Sequence, residues 1–228
     1  MATPNNNHIG KRSVHRLLLV DDQPILREGF AILLDQEPDL KVCGQADSAA
    51  GALKAITALR PDLVTVDIVL KGMNGIELVK QIKALHPLLP VLVLSMLDEV
   101  LFAERALRAG AKGYVMKQAP TEEVKNAVRR LLRGGRYLSP RMQERILENL
   151  SSGGRVAPGI ESLSDRELEV FQLIGSGCAT RQIAQQLRLS IKTIETYRAH
   201  IKEKLKLANG MELIRMAVET AREQQKSA

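Results

Sequence analysis

Three acids, a serine and a lysine stand out in the first half of the chain. Asp21 and Asp22 directly follow the apolar run Leu17–Val20, and Asp67 ends the run that begins at Leu63. Ser95 ends the run from Val91, and Lys117 follows Gly113–Met116. If these runs are parallel strands, side chains at their carboxyl ends converge on one crevice at the switch in strand order. Carboxylates crowded together repel one another and hold their protons more tightly unless a cation joins them. A hard divalent ion with oxygen ligands resolves that conflict, and Mg²⁺ does so while keeping several waters. The plainer reading makes such acids loop residues and helix caps, which suits Asp22 before Gln23-Pro24 taken singly. All five positions at strand ends together favour the shared site.

The elements that must position these groups are legible from patterning. Expected strands are Arg16–Val20, Leu40–Ala46, Leu63–Asp67, Val91–Ser95 and Gly113–Met116. Leu17–Val20 and Val91–Leu94 are apolar throughout, as strands buried on both faces of a parallel sheet are. Between them, Leu26, Phe30, Leu33 and Leu34, and later Val124, Ala127, Val128, Leu131 and Leu132, repeat at helical spacing. The order β-α five times predicts a doubly wound α/β domain with a five-stranded parallel sheet. The segment 151–159, rich in Ser, Gly and Pro, reads as a linker, with a short helix over 140–150 before it. Beyond it come four expected helices, Ser164–Gly175, Thr180–Leu187, Ile191–Leu205 and Asn209–Gln224, with Asp165, Thr180, Ser190 and Asn209 as caps or first-turn residues. The expected division is a disordered tail (1–13), an α/β domain (14–136), a linker with a short helix (137–160) and an all-α domain (161–228).

Composition narrows the function classes. A chain of 228 residues with 45% hydrophobic and 26% charged residues forms packed cores, and its length suits two domains. The net charge of +7 hints at an anionic partner, and 3% aromatics without Trp argue against stacking single-stranded bases. The surplus is concentrated: residues 17–137 hold 16 bases and 15 acids, whereas Arg181 to Lys206 holds seven bases against Glu195 and Glu203. No membrane span and no signal peptide are expected, and a cytoplasmic location follows. Cys43 and Cys178 stand apart from each other and from any histidine cluster, so neither a disulfide framework nor a zinc site is expected.

The motifs LLLVDD (17–22), PDLVTVDI (61–68), GMNGIEL (72–78), VLVLS (91–95) and AGAKGYVMK (109–117) resemble the receiver domain of two-component response regulators. The resemblance implies a flavodoxin-like fold in which Asp67 is the phosphoacceptor. It implies that Asp21, Asp22, Asp67 and the backbone carbonyl of Val69 hold Mg²⁺. Ser95 and Lys117 would bind the phosphoryl group, with Tyr114 at the aromatic switch position, rotating inward once Ser95 has moved. A carboxylate attacking a phosphoryl group needs its partner's charge neutralised, which Mg²⁺ and Lys117 supply. Leu70-Lys71 stands where the family usually has Pro shortly after the phosphoacceptor, which bears on loop rigidity and places a cation at the rim.

In the last segment, helix Thr180–Leu187, the turn Arg188-Leu189-Ser190 and helix Ile191–Leu205 make a helix-turn-helix. Ile194, Tyr197, Ile201 and Leu205 form its inward stripe, and Lys192, Glu195, Thr196, Ala199 and Lys202 face outward, where a helix meets the major groove. Residues 163–207 resemble the LuxR-type helix-turn-helix, and the whole chain resembles a NarL/FixJ-type response regulator. By that resemblance Lys192, Thr193, Arg198 and Lys202 join Glu195, Thr196 and Ala199 as the DNA-binding set, the last three facing base edges. Glu195 stands where many relatives have Lys. It either accepts from cytosine N4 or pairs with Lys192 or Arg198 along its own helix. Met211, Ile214, Ala217, Val218 and Ala221 line one side of the final helix, open to a dimer contact or to packing on its own domain.

The expected function is a phosphorylation-controlled, DNA-binding transcription regulator, not an enzyme beyond phosphoryl transfer and loss at Asp67. Its partners would be double-stranded DNA, a sensor histidine kinase, a second copy on DNA and RNA polymerase. One alternative is DNA binding independent of phosphorylation. Another, an aspartate-nucleophile phosphatase, lacks the second Asp two residues on, where Val69 stands; the absence of a G-x-x-x-x-G-K-[ST] loop argues against nucleotide hydrolysis.

Overall fold

The computed structural model describes residues 14–144, 147 and 159–226. The expected tail (1–13) and the linker core (151–158) lie outside the described residues. Of the helix expected over 140–150, residues 140–144 and Leu147 are helical.

The first half alternates β1 (His15–Val20), α1 (Pro24–Asp35), β2 (Leu40–Ala46), α2 (Ala49–Leu59), β3 (Leu63–Val66), α3 (Gly75–Leu85), β4 (Val91–Ser95), α4 (Glu99–Arg108), β5 (Gly113–Met116) and α5 (Thr121–Leu132). The strands form a parallel sheet in the order β2-β1-β3-β4-β5. Side chains alternate across it. Leu17, Leu19, Leu63, Leu92 and Leu94 pack with Leu34 of α1 and with Val124, Val128 and Leu131 of α5. Leu18, Val20, Val64, Val66, Val91 and Val93 face the opposite layer, α2 to α4. A fully buried Leu or Val contributes roughly 1.5–3 kcal/mol, so the stripe on α5 is what holds that helix down.

The strand order puts a switch point between β1 and β3. Val20 pairs with Val66, so Asp21 and Asp67 leave the sheet at the same level. Val66 pairs with Val93 and Ser95 with Met116, which places Ser95 and Lys117 beside them. Asp67 falls just past β3, one residue beyond the strand it was expected to end. Its N–H still donates to Val20 O at 2.9 Å.

The second half is helical: α6 (Asp165–Gly175), α7 (Thr180–Leu187), α8 (Ile191–Lys204) and α9 (Gly210–Lys226), preceded by a short 3-10 turn at Ile160–Ser162. Ser164 caps α6 in a reciprocal capping box with Glu167, and Ser190 caps α8 by accepting from Thr193 N–H. Asn209 accepts from Met211 and Glu212 N–H at the start of α9. Helix α7 begins at Thr180 after Ala179 and ends at Arg188, whose φ of 52° is left-handed. On α8, Ile194 and Ile201 are fully buried, whereas Tyr197 and Leu205 are only partly so. On α9 the buried face is Leu213, Ala217 and Thr220, with Met211 and Ile214 exposed. Of the stripe read from the sequence, Ala217 therefore packs on its own domain while Met211 and Ile214 do not. A Cβ on Gly175 of α6 would lie 2.5 Å from Ala217 O.

Helix α3 is drawn tightly under the loop after β3. Gly75 N–H donates to Ile68 O at 2.7 Å, and a Cβ at Gly75 would sit 2.0 Å from Asp67 O and 2.7 Å from Ile68 Cα. No side chain fits without moving backbone. Gly75→Ala is therefore expected to cost about 1–3 kcal/mol, read as a lower urea midpoint. An unchanged midpoint would mean that α3 withdraws freely from Asp67.

Candidate functional site

The register brings Asp21, Asp22, Asp67, Ser95 and Lys117 together, and all five are largely buried at the carboxyl edge of the sheet. Lys117 Nζ donates to Asp21 Oδ2 and Asp67 Oδ2, both at 2.7 Å. Ser95 Oγ donates to Asp67 Oδ1 at 2.7 Å, and Val69 N–H reaches the same oxygen at 3.3 Å. Gln23 N–H donates to Asp21 Oδ1 at 2.9 Å. Each of the three acids offers an oxygen within 4.8 Å of those of the other two. Burial pushes the Asp67 carboxyl up, against the pull of Lys117. Burial also raises Asp22, Arg188 opposing it and Asp21 adding to it. Three buried acids facing one lysine are short of positive charge, and an acidic cluster of this spacing fits a divalent cation with oxygen ligands.

Tyr114 departs from expectation. Its ring is fully buried, with the hydroxyl donating to Leu97 O at 2.8 Å. Burial, and then the nearby Asp67, raise that hydroxyl well above its ordinary value. The ring lies inward while Ser95 donates to Asp67.

Of the pair Leu70-Lys71, which stands where the family usually has Pro, Leu70 is 1% exposed and belongs to an apolar cluster that continues into α6, α7 and α8. Lys71 is exposed and bridges Ser48 through the backbone. The helical segment packs on this side of the sheet. Asn74, which caps α3, donates through Nδ2 to Glu169 Oε2 of α6 at 3.1 Å. Arg105 of α4 donates to Leu163 O at 2.7 Å and Asp165 Oδ1 at 3.1 Å, and Lys80 of α3 lies 3.4 Å from Asp165 Oδ2. Arg188 Nε approaches Asp22 Oδ2 at 3.8 Å. The sequence marks Asp165 as a first-turn residue, Asn74 and Gly75 as part of a motif and Arg188 as part of a turn, and gives no sign of the contacts that these residues, Arg105 and Glu169 make. These contacts join residues distant in the chain, so no local spacing marks them.

On α8, Lys192, Glu195, Thr196 and Ala199 are exposed, while Arg198 and Lys202 are half-buried. Thr193 is drawn into the cap, its hydroxyl 2.7 Å from Ser190 Oγ. Among the described residues, Glu195 forms no ion pair with Lys192 or Arg198. No helix among them is long and apolar enough to cross a membrane.

Residues 17–129 match the response regulator receiver domain, and residues 161–217 match the bacterial regulatory proteins of the luxR family. The chain belongs to the two-component response regulators of the NarL/FixJ type, phosphorylation-controlled transcription regulators with a LuxR-type DNA-binding domain. It is 34% identical to the response regulator GacA of Pseudomonas aeruginosa over 204 residues, covering 89% of this chain and 95% of that protein. It is 33% identical to the transcriptional regulatory protein LiaR of Bacillus subtilis over 196 residues, covering 85% and 92% respectively. Its structure is similar to that of RcsB from Salmonella enterica serovar Typhimurium bound to promoter rprA in the presence of phosphomimetic BeF3-. That match has a TM-score of 0.60 at 27% identity and covers 89% of this chain and 98% of RcsB.

Glu169 gives the contact between α6 and α3 a pH dependence. Its carboxyl is wholly buried, receives Arg166 at 2.6 Å and Asn74, and keeps Oε1 without a partner. Burial, only partly offset by Arg166, raises it to about 7. An acid with a raised folded pKa destabilises the fold as pH climbs from the unfolded value toward the folded one, and the loss is complete above it. The stability of Glu169→Gln relative to wild type should therefore rise between pH 4.5 and 7, by on the order of a few degrees in Tm. A difference in Tm that is flat across that range would remove Glu169 as the titrating group.

Proposed function

We propose that Asp67 is the phosphoacceptor, and that a sensor histidine kinase delivers the phosphoryl group. Asp21, Asp22, Asp67 and the Val69 carbonyl would hold Mg²⁺, which neutralises the charge of the incoming group when bound. The observation that carries this reading is the convergence of three buried carboxylate oxygens within 4.8 Å, with Lys117 and Ser95 both on Asp67. Asp67 Oδ1 and Oδ2 are held toward Ser95 and Lys117, so a phosphoryl group formed there meets one hydroxyl and one ammonium in place. The roughly −2 charge it brings competes with Asp67 for the Ser95 hydroxyl and for Lys117. Lys117 also holds Asp21, so the same event alters the loop after β1.

For DNA, Lys192, Arg198 and Lys202 are assigned to phosphates, and Glu195, Thr196 and Ala199 to base edges. Exposure of Lys192, Glu195, Thr196 and Ala199 on one face of α8 supports this. Thr193 fits better as the residue that fixes the start of α8 than as a direct contact. The lack of an intrahelical ion pair at Glu195 favours base contact over self-pairing. Exposed Met211 and Ile214 on α9 support a homodimer on DNA, paired half-sites being the geometry such dimers read. The cytoplasm is the compartment that suits these partners, with RNA polymerase as a further one.

Duplexes selected from a random pool give the test. In gel shifts, acetyl phosphate with Mg²⁺ should tighten wild-type binding by roughly 5–150-fold, the usual range of allosteric coupling, and leave Asp67→Ala unmoved. Equal affinity in all four lanes would remove the phosphoryl switch. Glu195→Ala should relax base preference at one position at a cost of about 1–3 kcal/mol of discrimination. An unchanged selected sequence assigns Glu195 no role in reading.

A further inference from the structure

Three acids meet at the site, and Lys117 divides its ammonium between two of them, Asp21 and Asp67. That leaves Asp22, which is buried, with Arg188 as its ion partner among the described residues. Arg188 belongs to the turn between α7 and α8, the end of the helix-turn-helix that leads into a major groove. It is about half-exposed, and its backbone is held in the left-handed cap of α7.

We propose that Arg188 is an intramolecular counter-ion that competes with a divalent cation at Asp22. Docking of the DNA-binding domain and metal binding then oppose each other. The inference rests on the reading of Asp21, Asp22 and Asp67 as a metal site. A cation bound there takes Asp22 oxygen as a ligand and places two positive charges beside the guanidinium. The 3.8 Å approach is then no longer favourable. Because coupling is reciprocal, whatever the docked Arg188 subtracts from metal affinity, the metal subtracts from docking. The same guanidinium, once released, returns to the surface where the turn meets DNA phosphates. Arg188 is thus a positioning residue, acting on the site through charge and through where the domain sits.

The full chain is titrated with Mg²⁺ by calorimetry at low salt, as wild type, Arg188→Asn and Arg188→Lys. Asn tolerates the left-handed conformation, so it removes the charge without straining the turn. Arg188→Asn is expected to bind Mg²⁺ about two- to fivefold tighter, the range an exposed ion pair supports. Arg188→Lys should remain near wild type, because the charge is kept. Hydrogen exchange supplies a second readout: Mg²⁺ without a phosphoryl donor should lower protection in residues 160–169 of wild type and change little in Arg188→Asn. Equal Mg²⁺ affinity in all three proteins overturns the competition and leaves the metal reading standing. No Mg²⁺ binding by any of them overturns both. Tighter binding by Arg188→Lys and Arg188→Asn alike overturns the role of charge.

Discussion

Everything at the carboxyl edge of the sheet is governed by a shortage of positive charge. Three carboxylates are buried where the strand order reverses, and one ammonium serves two of them. Desolvation raises Asp22 and Asp67, with Arg188 opposing it at the first and Lys117 at the second. Such a site takes in cations from whatever source is at hand. A divalent ion is one, and the guanidinium of Arg188 is another. In the proposed reading, cation binding and the placement of the DNA-binding domain are for that reason parts of one electrostatic problem.

The loop after β3 carries the mechanical side of the same problem. Gly75 lets α3 start against Asp67, Asn74 caps that helix, and the other face of Asn74 meets Glu169. Leu70 anchors the loop in the apolar cluster shared with α6 to α8. Of the pair Leu70-Lys71 at the place of the expected Pro, Leu70 is buried and Lys71 exposed. The loop is stiffened by packing against a neighbour, so its rigidity depends on whether that neighbour is in place. The loop beside Asp67 thus also touches the second domain, through Asn74 and Glu169. Tyr114 and Ser95 already lie inward.

Much of the fold was legible before any coordinates. The apolar runs at β1 and β4 and the stripe on α5 could only be buried strands and a docked helix. Asp21, Asp67, Ser95 and Lys117 followed as neighbours once the strands were parallel. On α8, the buried pair Ile194 and Ile201 and the exposed Lys192, Glu195, Thr196 and Ala199 fell where the periodicity put them. On α9, Ala217 of the expected stripe packs with Leu213 and Thr220 against α6, where Gly175 permits close approach, and Met211 and Ile214 stay exposed. Thr193, placed in the DNA-binding set by the motif, also has its hydroxyl 2.7 Å from Ser190 Oγ.

The sequence alone determined the site's membership and the class of protein. Strand periodicity and the positions of acids at strand ends are local properties, and hydrophobic burial enforces them regardless of the rest of the chain. Only the tertiary structure decided that Arg188 reaches Asp22, that Glu169 is buried on Asn74, and that Arg105 grips Leu163 and Asp165. Those pairings span about 60 to 170 positions in the chain. Their energies are set by distance and desolvation between two separately folded surfaces, and no pattern within either surface encodes them.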